Sequence, residues 1–174
     1  MAKLIGITGR AGSGKTAAAK DFVARGYERL RFADPIKQMA RALGLSEAQV
    51  DGGEKEVPVA YLCGRTPRYI LQTLGTEWGR DLIGRTLWVD LLKWRAMDLL
   101  SRDYDVVVDD VRFENEAEAI KRLGGTVIRI VRPVLVNGMG HRSESEIGAL
   151  RVDHEILNDG TLDELAMRLR EVAP

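Results

Sequence analysis

"GITGRAGSGKTAAA", residues 6–19, sets a glycine-rich turn between an apolar run and an alanine-rich one, and its reading decides the fold. Gly9, Arg10, Ala11, Gly12, Ser13, Gly14, Lys15 and Thr16 fit the pattern G-x-x-x-x-G-K-[ST] without a mismatch. Before it, "LIGIT" (4–8) reads as a strand; after it, "TAAAKDFVARG" (16–26) reads as a helix that stops at Gly26. Each residue type has a physical task in that setting. Glycines let backbone N–H groups turn inward onto phosphate oxygens, and the helix N-terminus adds its positive end. Lys15 reaches the terminal phosphates, and Thr16 offers a hydroxyl to Mg²⁺. The loop therefore specifies a phosphate donor, and the acceptor has to be read from the rest of the chain.

Working outward, further apolar runs occur at "VVV" (106–108) and "TVIRIV" (126–131), with weaker candidates at "RLRF" (29–32) and "HEIL" (154–157). Stretches with helical spacing lie between most of them, an alternation that predicts an α/β fold with a parallel sheet covered on both faces. Ser46 with Gln49 and Thr161 with Glu164 make capping-box pairs, and Thr66 followed by Pro67 opens a helix. Between Phe32 and Val106, about 70 residues carry helical signals and almost no strand signal, far more than one crossover needs. Residues 33–104 are thus expected to form a helical substrate-binding insertion within a single domain of residues 1–174. In such sheets ligands sit at the carboxyl ends of the strands, from which this insertion departs. "DGGEKEVP" (51–58) reads as a surface loop.

Composition narrows the function classes. The 26 basic and 26 acidic residues balance, so the chain lacks the positive field of a nucleic-acid coat, and no nucleic-acid partner is expected. No apolar run approaches a membrane span, and the start "MAKLIGITG" reads as a strand rather than an export signal. Cys63 is the only cysteine, which excludes an internal disulfide and suits a reducing compartment. Of the basic residues 19 are Arg and 7 Lys; arginine is the side chain whose planar fork grips phosphate at two points.

Three regions carry candidate chemistry. In "DYDVVVDDVRFENEAEAI" (103–120) a strand ends in Asp109 and Asp110, which point to opposite sides, so only one of them is expected to serve a metal; Arg112 follows. Within the insertion, Arg65, Arg68, Gln72, Glu77, Trp78, Arg80 and Arg85 crowd two helix starts, with Arg68 and Gln72 four apart on one face. Trp78, Trp88 and Trp94 read as core residues. The segment 132–153 is glycine-punctuated at Gly138 and Gly140, carries Arg132, His141 and Arg142, and is a candidate lid. His141 reads as a surface residue and His154 as a structural one. "NDGT" (158–161) is expected near the adenine.

"FADPIK" (32–37), "TPRYILQTLGTEWGR" (66–80), "DDVRFENEAEAI" (109–120) and "GGTVIRIVRP" (124–133) together resemble the deoxynucleoside monophosphate kinases of bacteriophages. The resemblance implies a three-layer P-loop NTPase fold with a five-stranded parallel sheet. It implies transfer of the ATP γ-phosphoryl group to a deoxynucleoside 5′-monophosphate with Mg²⁺, in the cytoplasm (the host's, if phage-encoded), by an enzyme that pairs into a homodimer. By motif position, Lys15 and Thr16 belong to ATP and metal, and Asp110 is the metal carboxylate. Asp34, Lys37, Arg68, Gln72, Glu77, Trp78, Arg80 and Arg112 fall to the acceptor, and Arg112 and Arg132 join Lys15 near the transferred phosphate. Asp34 discriminates acceptors: a monophosphate is already dianionic and needs no base, whereas a hydroxyl acceptor such as dephospho-coenzyme A or a sugar would make Asp34 the catalytic base. A P-loop ATPase switch acting on a macromolecular partner is the remaining alternative.

Overall fold

The computed structural model describes residues 2–133 and 150–173. Strands β1 (Leu4–Thr8), β2 (Glu28–Leu30), β3 (Val106–Val108), β4 (Thr126–Val131) and β5 (His154–Leu157) form one parallel sheet in the order β2-β3-β1-β4-β5. The central strand β1 lies between β3, with Ile5 opposite Val107, and β4, with Ile7 opposite Ile128. Four of the five strands occupy the apolar runs expected of them. β2 does not: it covers 28–30 instead of 29–32. It is an edge strand whose one neighbour, β3, is three residues long, so pairing ends at Leu30 opposite Val108.

Helices α1 (Lys15–Ala24) and α7 (Leu162–Val172) pack on one face of this sheet. Alternate strand residues Ile5, Ile7, Val107, Ile128, Ile130 and Ile156 meet Phe22, Leu165 and Leu169 there. Helix α6 (Glu114–Arg122) packs against β1 and β4. Because both faces are covered, the strands are apolar at nearly every position; β1 is buried throughout. Thr161 caps α7 in the expected manner: its hydroxyl accepts the Glu164 N–H at 3.2 Å, and the Glu164 carboxylate accepts the Thr161 N–H at 2.7 Å.

The chain divides into two compact units, one holding the sheet and the other formed by Phe32–Leu91, with one junction between Arg31 and Phe32 and the other inside α5 (Leu87–Ser101). The second unit contains α2 (Asp34–Ala42), α3 (Glu47–Val50) and α4 (Pro67–Thr73) around Ala40, Leu45, Val50 and Val59. The Ser46–Gln49 box is formed, and Thr66 caps α4 by accepting the Tyr69 N–H. "DGGEKEVP" is loop, but its first residue is anchored: Asp51 takes both Lys37 and Arg41 of α2.

After α4 the backbone widens into a π-helical segment, Leu74–Ile83, a form concentrated at functional sites. Ile36 crowds the first of its glycines, Gly75, where a Cβ would stand 3.2 Å from Cδ1, and Trp88 explains the second, Gly79. The indole is 4% exposed, its Nε1 donates to the Gly75 carbonyl at 2.8 Å, and a Cβ on Gly79 would lie 2.6 Å from Cε2 of the ring. Gly79→Ala, which by helix propensity alone would stabilise, is therefore expected to destabilise the fold by about 1–3 kcal/mol. A thermal melt checks the sign; a rise in melting temperature would mean that the ring yields freely.

Candidate active site

The turn between β1 and α1 is built so that only glycine fits at two of its corners. Gly9 has φ +149° and Gly14 φ +110°. A Cβ on Gly9 would stand 2.5 Å from the Ile130 carbonyl, and one on Gly14 would strike the Asn158 amide. Helix α1 begins directly after Gly14, and no side chain among the described residues caps it. Its first-turn N–H groups and the helix dipole therefore face the loop.

Lys15 folds back over this turn, with Nζ donating to the Gly9 carbonyl at 2.6 Å and the Arg10 carbonyl at 2.8 Å. Those carbonyls hold an ammonium in place above the loop, where phosphate oxygens would be better partners for it. Ser13 Oγ is buried and has no hydrogen-bond partner among the described residues. Thr16 is exposed on the first turn of α1. Glycine corners, an uncapped helix start, a poised ammonium and an orphaned hydroxyl together fit a polyphosphate. Among the described residues no three His, Cys, Asp or Glu side chains group as a metal cage.

The two aspartates after β3 have separate surroundings. Asp109 is 6% exposed and is gripped by Arg29, with Nε on Oδ1 at 3.1 Å and the second guanidinium nitrogen on Oδ2. That fork-to-fork pair ties β2 to β3. Asp110 is half-buried and lies, like Asp109, just past the end of β3. Beyond it, Glu116 in the first turn of α6 accepts the N–H groups of Arg112 at 2.8 Å and Phe113 at 3.2 Å, and Val111 N–H donates to the Ile7 carbonyl. These bonds fix the backbone that carries the exposed Arg112. Arg132, also exposed, follows β4 directly. Lys15, Thr16, Asp110, Arg112 and Arg132 thus all leave from carboxyl ends of β1, β3 and β4, where doubly wound sheets bind ligands.

The second unit holds the remaining candidates. Asp34 opens α2. The Lys37 ammonium is engaged by Asp51, so this side chain, expected at the acceptor, ties α2 to the loop after α3. On α4, Arg68 and Gln72 are both exposed on one face, with Arg68 paired to Glu56, while Arg65 lies 4.7 Å over the Tyr69 ring. Glu77, Trp78 and Arg80 sit on the π-helical segment. An apolar cleft of about 390 Å³ runs between Pro35, Met39, Trp78 and Trp88. The tryptophans correct the expectation of three core residues. Trp88 is core, but Trp78 on the π-helical segment is 38% exposed, and Trp94, on the outward face of α5, is 71% exposed.

Two residues were not singled out by the sequence reading: Arg29, and Asn158, whose amide reaches the loop. "NDGT" was a signal for the second, though read there as adenine contact. His141, Arg142, Gly138 and Gly140 lie outside the described residues, as does most of the candidate lid 132–153.

A family model described as deoxynucleotide monophosphate kinase matches residues 65–169. An Acanthamoeba polyphaga mimivirus protein, provisionally named as a deoxynucleotide monophosphate kinase, is 37% identical over 92% of this chain and 91% of its own length. The deoxynucleotide monophosphate kinase of Escherichia phage RB69 is 34% identical over 60% of this chain, but only 43% of that protein is covered. Among solved structures, TT1252 from Thermus thermophilus has TM-score 0.54 at 21% identity, covering 98% of this chain and 96% of that one. The dephospho-CoA kinase of Campylobacter jejuni has TM-score 0.54 at 15% identity, covering 98% and 95%. At those identities the likeness shows a shared P-loop kinase fold and leaves the acceptor undecided.

Proposed function

The chain belongs to the deoxynucleotide monophosphate kinase family, and from that premise we infer that it moves the γ-phosphoryl group of ATP to a deoxynucleoside 5′-monophosphate, giving the diphosphate and ADP. One observation carries this reading. The family match covers residues 65–169, so the phosphate loop at residues 9–16 stands outside it and supports a nucleotide donor independently of that match.

In the reaction an acceptor phosphate oxygen bonds to the γ-phosphorus while the bond to the β,γ-bridging oxygen breaks, its electron pair leaving on ADP. Two polyanions must meet, so charge neutralisation and in-line placement are the main tasks. Lys15 moves from its carbonyls to the β- and γ-phosphates. Gly9 to Thr16 bind the donor through backbone N–H groups. Thr16 and Asp110 would hold Mg²⁺, which when bound shields the bridging charge. Arg112 and Arg132 stabilise the transferring group. In the second unit Arg68 and Arg80 take the acceptor's phosphate, Gln72 and Glu77 its polar edges, and the exposed ring of Trp78 offers the base a face to stack on. Lys37 acts at a distance, by holding α2. The enzyme works in the cytoplasm on free nucleotides, without nucleic acid, and sedimentation tests the homodimer that the resemblance implies.

Because a monophosphate dianion attacks without a base, Asp34→Asn is expected to retain turnover within about tenfold. Steady-state kinetics with a deoxynucleoside monophosphate check this. A loss of three or more orders of magnitude in a folded variant would mean that Asp34 abstracts a proton and that the acceptor is a hydroxyl.

A further inference from the structure

Asn158 is the first residue after β5, and its backbone N–H continues the sheet by donating to the Val131 carbonyl at 2.7 Å. Its side chain is buried, 6% exposed, and turns away from solvent toward the donor loop. There Nδ2 donates to the Ser13 carbonyl at 2.8 Å. The same Nδ2 occupies the place where a Cβ on Gly14 would stand, so the amide lies flush against the Ser13–Gly14 peptide.

That contact has a consequence through peptide planarity. In a trans peptide the carbonyl and the N–H that follows it point to opposite sides of the chain. Holding the Ser13 carbonyl toward Asn158 therefore turns the Gly14 N–H away from Asn158. Gly14 itself imposes no such choice, since a glycine at φ +110° has no side chain to resist a flip of the preceding peptide. We propose that Asn158 is a positioning residue for the phosphoryl donor: its amide locks the Ser13–Gly14 peptide so that the Gly14 N–H is presented to the donor's phosphates. The proposal rests on the reading of Gly9–Thr16 as the donor's phosphate loop. It gives the Asn158 side chain a role beside the adenine contact expected of the "NDGT" backbone, since Nδ2 is engaged on the loop.

The test uses Asn158→Asp, which keeps the shape but sets an oxygen against the Ser13 carbonyl, and Asn158→Ala, which removes the donor without adding charge. ADP binding is measured by calorimetry, inorganic tripolyphosphate by competition, and acceptor KM by kinetics. Asn158→Asp is expected to weaken ADP and tripolyphosphate by the same factor, about tenfold to hundredfold, and Asn158→Ala by about tenfold, with acceptor KM within about twofold of wild type. Loss of ADP affinity with tripolyphosphate unchanged would assign Asn158 to the adenine and overturn the proposal. So would unchanged affinity for both ligands, or failure of both variants to fold, which would make Asn158 structural. If the wild-type protein bound neither ligand, the donor-loop reading would fall, and this proposal with it; a wild type that binds both while the variants bind equally overturns the proposal alone.

Discussion

Lys15→Ala is expected to lower turnover by about three orders of magnitude while leaving the melting temperature nearly unchanged. The two halves of that result have different origins. Lys15 is half-buried at the start of α1, and its ammonium bonds to the Gly9 and Arg10 carbonyls. The loop is exposed at Ala11 and Gly12, so removing the side chain strands no charge, and the carbonyl of the buried Gly9 is the one group that loses a partner away from water. Catalysis loses much more. Charge develops across the β- and γ-phosphates as the phosphoryl group transfers, and one preorganised cation at that position contributes on the order of 10²–10³ in rate, more where several act together. Lys15→Arg should also fail, because a planar guanidinium cannot reproduce a compact ammonium held by two adjacent carbonyls. Measured kcat beside a thermal melt checks both halves. Turnover within tenfold of wild type would remove Lys15 from the chemistry.

The paired aspartates after β3 should separate stability from activity. Asp109 is buried and clasped by Arg29, whose side chain is 31% exposed, so Asp109→Asn leaves a guanidinium short of its partner in a partly wet site. Breaking a fully buried pair costs about 3–5 kcal/mol; with one partner solvated, about 2 kcal/mol is expected here, a drop of roughly 4–8 °C in melting temperature. The variant that remains folded should turn over within a few-fold of wild type. Asp110→Asn should do the opposite, with little change in melting and at least about a hundredfold loss of turnover, partly recovered at raised Mg²⁺. The reverse pattern would exchange the roles of the two carboxylates.

The sheet was legible for a physical reason. Strands covered on both faces carry apolar side chains at successive positions, so β1 and β3 appear as unbroken runs, β4 as one interrupted by Arg129, and β5 as a shorter one. β2 was blurred because a three-residue edge strand beginning "ERL" pairs on one side only and carries two charges. The donor loop was legible because its function lies in backbone geometry, and backbone geometry of this kind demands glycine at fixed spacing. Arg29 and Asn158 were not. Each acts through one tertiary contact, across 80 and 145 residues of sequence, and neither residue type signals such a partner locally. The Lys37–Asp51 pair was equally hidden: it joins residues 14 apart, and neither side chain signals the other locally. Trp94 was misread because average burial of tryptophan says nothing about which face of α5 is covered.

The measurement that bears most directly on this account is ADP release from ATP and Mg²⁺ across a panel of deoxy- and ribonucleoside monophosphates, dephospho-coenzyme A and simple sugars, with Lys15→Ala as the blank. Turnover with deoxynucleoside monophosphates that vanishes in the blank is the predicted result. Silence across the monophosphates, or turnover only with a hydroxyl acceptor, would contradict it.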